Sequence, residues 1–260
     1  MKDIKKIGVA LSVYNKIDHL QTNINIIRSH WNEKNAFISV CCNDENSFET
    51  VKNLNIDAFT TGNYKIQASP KPFRRLRIFD CTRNSILNCN ATYIIHYHAD
   101  AYALCSEKIE LIINEMEKNN YHVAFRGRGL DYRNNKNICG DVDDHFCIFN
   151  REALLRSRMF DVNYNDVLQF LHVGNPETLL SKLIQDNFAR EKILHYSKME
   201  NNEVGTKEED DFYSDNLMHR AMTPYNFDNN RKFLHFGNVE KNFIVNSLTN
   251  RGIDSKLICL

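Results

Sequence analysis

The segment Tyr93–Leu104, YIIHYHADAYAL, decides the fold. Its first half is a largely apolar strand that runs directly into His98-Ala99-Asp100. Side chains two residues apart in a strand point to the same side, so the spacing predicts that His98 and Asp100 share one face. An imidazole nitrogen and a carboxylate oxygen can both bind a metal ion. The sequence therefore predicts a metal site where this strand ends.

Composition and charge exclude several classes of protein. The chain has 260 residues, of which 42% are hydrophobic and 25% charged, as in ordinary soluble proteins. The formal net charge is zero, which gives no reason to expect nucleic acid or an anionic membrane as the main partner. The apolar run from Ile7 to Val13 is too short for a transmembrane segment and has no small-residue cleavage site. The eight cysteines include no CxxC pair. We predict a cytoplasmic protein with reduced cysteines, at most peripheral to a membrane.

Apolar strands alternate with amphipathic helices over the first 160 residues. Nearly continuous apolar strands are typical of a sheet that is covered on both faces, so we predict an open, Rossmann-like α/β sheet flanked by helices. The predicted strands are 7–13, 37–42, 57–60, 93–97, 121–125 and 146–149, and the predicted helices are 17–31, 50–54, 82–89, 107–118 and 151–157.

The remaining segments give weaker patterns. Residues 61–77, which contain Pro70, Pro72 and the basic cluster Arg74-Arg75-Leu76-Arg77, read as a loop with candidate phosphate contacts. Asn175 followed by Pro176 predicts the start of a helix that continues to residue 186. Residues 191–196 and 232–236 read as strands.

Polar residues follow three of the predicted strands. They are Tyr14-Asn15, Asn43-Asp44 and His98-Ala99-Asp100. In open α/β sheets, ligands bind beyond the carboxyl ends of the strands. We therefore expect these three groups to lie at one edge of the sheet and to face a ligand.

These groups resemble the GT-A fold of glycosyltransferases, above all the large inverting group known as family 2. The similarity covers roughly residues 5–160. It implies an open mixed sheet, with a nucleotide-sugar-binding core over residues 1–160 and an acceptor-side, C-terminal segment of the same domain over residues 161–260. Four segments carry the resemblance in the family's order: Ser12-Val13-Tyr14-Asn15, Asn43-Asp44, Arg83-Asn84, and His98-Ala99-Asp100 in place of Asp-x-Asp.

The end of the chain resembles a second group of transferases. His235-Phe236, followed by Lys241, is similar to the His…Lys pattern near the end of glycogenin-like enzymes. In those enzymes the His binds manganese and the Lys contacts the diphosphate.

The two resemblances imply a hexosyltransferase of the kind used in polysaccharide biosynthesis. It would move a sugar from a UDP- or GDP-linked donor to a hydroxyl of a glycan or lipid-linked acceptor, with Mn²⁺ or Mg²⁺ neutralising the diphosphate. An imidazole ligand suits Mn²⁺ better than Mg²⁺. The implied metal ligands are His98, Asp100 and His235, and the implied nucleotide-sugar contacts are Ser12, Tyr14, Asp44, Arg83, Asn84 and Lys241.

An inverting transferase needs a general base for the acceptor hydroxyl. Glu177 lies in the first turn of a predicted helix, as the family's base often does. Asp144 precedes the strand that lines the donor sugar in relatives. Asp210 belongs to a Glu-Asp-Asp run similar to that of galactosyltransferases. The sequence leaves the choice among these three open, and with it retention or inversion.

Two other functions fit parts of the sequence. A sugar nucleotidyltransferase would have a Gly-rich, Arg-containing loop after the first strand, where this chain has Ser12-Val13-Tyr14-Asn15-Lys16. A nucleotide-sugar-binding homologue without catalysis would keep the sheet and lose the metal, and His98 in place of Asp favours that alternative.

Overall fold

The first strand, β1 (Lys5–Val13), lies inside the main sheet and is buried from Ile7 onward. It pairs in parallel with β2 (Phe37–Cys42) on one side and with β4 (Ala91–His98) on the other. The structure is a computed structural model that describes residues 5–62, 71–125, 146–196, 233–236 and 240–260.

The described strands form one large and one small sheet. The large sheet has the order β3-β2-β1-β4-β7-β6-β8. β3 (Ala58–Thr61) extends its parallel part, whereas β7 (Cys147–Asn150) runs antiparallel to both neighbours, β4 and β6 (Val123–Phe125). β8 (Ile193–His195) is parallel to β6. The small sheet pairs β5 (Ala101–Ala103) with β9 (Phe233–His235) in antiparallel fashion.

Helices cover both faces of the large sheet. Consecutive residues of β1 point to opposite faces, so Val9 packs into one core and Ala10 into the other. The first core also receives α1, α2, α4 and α8, and the second receives α3, α5, α6 and α7. This arrangement confirms the predicted α/β fold class. The helices are α1 (Ile17–Ser29), α2 (Phe48–Lys52), α3 (Lys71–Leu87), α4 (Glu107–Asn119), α5 (Arg151–Ser157), α6 (Tyr164–Val173), α7 (Pro176–Asn187) and α8 (Lys241–Asn250).

Close packing under β1 depends on Gly8. A Cβ atom at this position would lie 2.4 Å from Sγ of Cys89 and 2.6 Å from Cβ of Ala91. Both neighbours are buried and belong to the second core. A side chain at residue 8 would therefore push the end of α3 away from the sheet.

Several predicted boundaries were wrong. The helix predicted for residues 82–89 begins eleven residues earlier, at Lys71, inside the segment predicted to be a loop. Pro72 suggested that loop, but it occupies the first turn of α3, where a missing N–H costs nothing. The predicted helix at 175–186 is confirmed as α7, which Asn175 caps by accepting from the backbone N–H of Thr178.

The C-terminal hundred residues contain more structure than the sequence predicted. Helices α6 and α8 had no counterpart in the prediction, whereas the strands predicted at 191–196 and 232–236 are confirmed in shorter form as β8 and β9. The division into residues 1–160 and 161–260 stays a prediction. None of the described helices has the length and apolar character needed to cross a membrane.

Candidate functional site

Three neighbouring strands end side by side at one edge of the large sheet. In the register, Ser12 of β1 lies between Cys41 of β2 and His98 of β4. Ser12 is itself buried, and its carbonyl accepts from the backbone N–H of Ala99. The residues that follow these strands therefore start from the same edge, as expected from their order, and their contact with a ligand stays a prediction.

Asp100 lies in a turn directly after β4 and forms the centre of a charged cluster. Its Oδ2 atom is 2.6 Å from Nζ of Lys16 and 3.7 Å from Nε2 of His235. Pairing of Ala101 with His235 in the small sheet brings this histidine to the turn, and the backbone N–H of Phe236 donates to the carbonyl of Asp100. Only 14% of the Asp100 side chain is exposed, so water screens this cluster only partly.

Asn23 of α1 fixes the backbone around Asp100. Its side-chain amide nitrogen lies 2.7 Å from the carbonyl of Ala99 and 2.9 Å from that of Ala101. Asn23 is 1% exposed. One buried amide thus satisfies the two carbonyls that flank Asp100 and holds the turn in place.

The shared face predicted for His98 and Asp100 stays a prediction. β4 ends at His98, and Ala99 and Asp100 form a turn, so the two-residue period of the strand stops there. The ring of His98 packs against that of buried His96, with centroids 5.5 Å apart. The role of His98 as a metal ligand stays a prediction.

A second ion pair, Lys241–Asp18, lies near the Lys16–Asp100 pair. Lys241, the first residue of α8, donates to Oδ2 of Asp18, whose other oxygen accepts from the backbone N–H of His19. Burial acts to raise the pKa of Asp18, but the hydrogen bonds from Lys241 and His19 outweigh it, and the pKa is lowered. Asp18 therefore stays ionised at neutral pH.

His19 lies close to both ion pairs. Its Nδ1 atom lies 2.7 Å from the hydroxyl of Tyr102. Burial lowers the pKa of His19, and the charge of Lys16 adds to this effect while Asp18 opposes it. Burial, followed by the nearby charges of Asp100 and Asp18, raises the pKa of Tyr102. At pH 7 this hydrogen-bonded pair is neutral, and it lies close enough to Asp18 and Asp100 for their charges to act on it.

The ends of β1 and β2 form a different surface. The guanidinium of Arg77 lies 4.0 Å from the ring centroid of Tyr14. The side-chain amide of Asn43, at the end of β2, donates to the backbone carbonyl of Arg77. Since Arg77 lies in the second turn of α3, this helix begins at the same edge of the sheet. A guanidinium stacked on an aromatic ring is a flat surface of the kind that binds planar groups.

The other predicted nucleotide contacts already have structural roles. Both oxygens of Asp44 cap the short turn that follows β2, by accepting from the backbone N–H of Asn46 and the hydroxyl of Ser47. Arg83 donates to the carbonyl of Phe160, and buried Asn84 donates to that of Thr61. Their contacts to a nucleotide sugar stay predictions.

Of the three candidate bases, only Glu177 is among the described residues. Glu177 lies in the first turn of α7. Arg75 of α3 donates to the carbonyls of Leu171 and Gly174, which places the loop before α7 next to the start of α3. Asp144 and Asp210 lie outside the described residues.

Sequence reasoning missed three residues of this edge: Lys16, Asp18 and Asn23. A lysine or aspartate after a strand usually faces water, and Asn23 falls on the helix stripe that packs inward. The position of Asn23 on this stripe was the one signal of the site in the sequence, because a buried amide requires hydrogen-bond partners.

Comparison with known proteins agrees with this architecture. No protein-family model matches the chain, and no curated protein matches it in sequence. Among solved structures, the glycosyltransferase GlyE of Streptococcus pneumoniae TIGR4 aligns with 98% of this chain at a TM-score of 0.50 and 12% identity. The fold is GT-A-like.

Two further solved structures have a weaker likeness to this GT-A-like chain. Mouse xyloside xylosyltransferase 1 aligns with 81% of the chain and 91% of its own length, at a TM-score of 0.45 and 13% identity. TarS of S. aureus, residues 1–349, aligns with 59% of the chain at a TM-score of 0.42 and 12% identity. The chain spans 62% of the GlyE structure and 49% of the TarS structure.

Proposed function

We propose that the protein is a glycosyltransferase that moves a sugar from a UDP- or GDP-linked donor to a hydroxyl of a glycan or lipid-linked acceptor, in the cytoplasm. The observation that carries the proposal is the meeting of Asp100 and His235 at the carboxyl edge of a GT-A-like sheet, with Lys16 bound to Asp100 and Lys241 bound to Asp18. In α/β sheets of this kind that edge is where ligands bind.

The residues at Asp100 fit a divalent cation. Two atoms that bind one such ion lie within about 4 Å of each other, since each bond is about 2 Å long. Oδ2 of Asp100 and Nε2 of His235 are 3.7 Å apart. Among the described residues no three His, Cys, Asp or Glu side chains converge, so this pair would leave room for phosphate oxygens and water. A bound cation would neutralise charge on the leaving diphosphate.

The net charge of the cluster gives a cation a role in binding a diphosphate. Lys16 and Lys241 carry two positive charges and Asp100 and Asp18 two negative charges, so the four side chains are neutral as a group. A neutral cluster attracts a diphosphate only weakly. A divalent ion at Asp100 would add the positive charge that a diphosphate needs, and Lys241 would then contact the phosphates.

The Tyr14–Arg77 stack provides a place for the nucleobase. It lies at the end of β1, one strand away from Asp100, and Asp44 follows the adjacent strand. A base stacked there would leave the diphosphate pointing toward Asp100. Glu177, Asp144 and Asp210 remain the proposed candidates for the general base.

The β1–α1 connection disfavours a nucleotidyltransferase. Only Tyr14, Asn15 and Lys16 join Val13 to Ile17, and none of them is glycine. A loop that wraps phosphates with its backbone N–H groups is longer and rich in glycine.

Thermal unfolding with UDP, GDP and CDP, each with and without Mn²⁺, tests the proposal. A nucleotide at 100 times its Kd stabilises the folded protein by about 2.7 kcal/mol, which raises Tm by roughly 5–10 °C in a domain of this size. We expect such a rise with UDP or GDP when Mn²⁺ is present and a much smaller one without it.

Mn²⁺ alone and inorganic pyrophosphate with Mn²⁺ serve as controls for metal and phosphate effects. A protein that shows no rise with any nucleotide contradicts the proposal. A rise without release of UDP or GDP from the corresponding sugar nucleotides, across a panel of acceptors, would instead identify a binding homologue without catalysis.

A further inference from the structure

Lys16 is bound to the same oxygen that a cation would use. Its Nζ atom lies 2.6 Å from Oδ2 of Asp100, and Nε2 of His235 approaches that oxygen to 3.7 Å. Lys16 is the last residue before α1, so its backbone is fixed by the helix, whereas its long side chain is 31% exposed. The ammonium can therefore leave Asp100 without a change in the fold.

We infer that Lys16 competes with the divalent cation for Asp100 and couples cation binding to nucleotide binding; the inference rests on the proposed function for the identity of the ligands. Lys16 neutralises Asp100 while no cation is bound. It must give up Oδ2 when a cation binds between Asp100 and His235, because two cations on one carboxylate oxygen in a partly buried site repel each other.

The released ammonium of Lys16 can bind the diphosphate. The neighbouring positive group, Lys241, is held by Asp18, so Lys16 is the basic side chain of this cluster that loses its carboxylate when a cation arrives. An ammonium with three donors on a flexible stem binds phosphate oxygens well. Lys16 would thus pass from Asp100 to the diphosphate, and the cation would prepare the site for the nucleotide.

Two opposite effects of one substitution distinguish this coupling from a structural role. In Lys16→Gln the competitor is gone, so Mn²⁺ alone binds about tenfold more tightly than to the wild type. The same variant has lost a phosphate contact, so UDP or GDP binds about tenfold more weakly at saturating Mn²⁺. A structural ion pair would give neither the gain in Mn²⁺ affinity nor the opposite signs.

The first measurement is a Mn²⁺ titration without nucleotide, in which electron paramagnetic resonance reports the free ion. Lys16→Arg keeps the positive charge and is expected to bind Mn²⁺ no more tightly than the wild type. Lys6→Gln is the matched control, because Lys6 forms an exposed ion pair with Glu117 far from Asp100, and its Mn²⁺ affinity stays unchanged.

The outcomes separate the inference from the proposed function. Equal or weaker Mn²⁺ binding by Lys16→Gln, or no Mn²⁺ binding by either protein, overturns the inference. Tighter Mn²⁺ binding by Lys16→Gln together with no nucleotide binding by any variant supports the competition at Asp100 and contradicts the proposed transferase.

Discussion

Asp100→Asn is expected to lower sugar transfer at least about 100-fold and to remove the Mn²⁺-dependent rise in Tm with nucleotide. Asparagine keeps the shape of the side chain but removes the negative charge that would hold a cation between Asp100 and His235. The residual amide oxygen is a much weaker partner for a divalent ion. The measurement is the rate of transfer with the sugar nucleotide that stabilises the wild type, together with Mn²⁺ binding by paramagnetic resonance.

Asp57→Asn is the matched control for Asp100→Asn. Asp57 also accepts from a basic side chain, with its Oδ2 atom 2.7 Å from Arg28, but it precedes β3 at the opposite edge of the sheet. The Asp57→Asn variant should lose some stability and keep full transfer activity. If Asp100→Asn retains the metal-dependent rise in Tm, the proposed cation site is wrong.

Asn23→Asp is expected to give the largest loss of stability, about 3–5 kcal/mol in the free energy of unfolding at pH 7. The change replaces the donating amide by a carboxylate that faces the carbonyls of Ala99 and Ala101 in a buried site. Three acceptors would then meet without a donor. The turn that carries Asp100 would lose its support, and Mn²⁺ affinity would fall with it.

The pH dependence of Asn23→Asp identifies the cause. Burial and the two carbonyls raise the pKa of the new carboxyl above its unfolded value of about 3.9. Between these two pKa values the folded state binds more protons than the unfolded state, so stability falls as pH rises. Urea unfolding at pH 5 and pH 7 should therefore show a larger loss at pH 7.

Asn114→Asp provides the comparison for this measurement, because Asn114 is exposed on α4 and a change there should alter stability by less than about 0.5 kcal/mol. Equal stability of Asn23→Asp and Asn114→Asp would show that the Asn23 amide does not support the turn.

The edge of the sheet could be predicted because it depends on local pattern. Apolar strands followed by polar residues identified Tyr14, Asp44 and Asp100 as edge positions, and the register of β1, β2 and β4 brings them there. The period-2 rule also predicted a shared face for His98 and Asp100. That rule holds only inside a strand, and β4 ends at His98, so the shared face stays a prediction.

The contacts of the site could not be predicted because they join distant segments. Lys16 meets Asp100, Asp18 meets Lys241, and Asn23 meets Ala101, and no periodicity in one segment indicates its partner in another. The start of α3 was missed for a different reason. Proline marks loops and first helical turns alike, and only the packing of the following residues decides between them.

The pairing of β5 with β9 has a consequence for the order of folding. Ala101 and His235 are separated by about half of the chain, whereas β1, α1 and β2 follow one another directly. Contacts over long sequence separations carry a larger loop-closure entropy and tend to form late. We expect pulsed hydrogen exchange to protect Val9 and Val40 before Tyr102 and Leu234. The large sheet would then assemble first, and the C-terminal segment would complete the site only when it adds His235 and Lys241 to a sheet that is already folded.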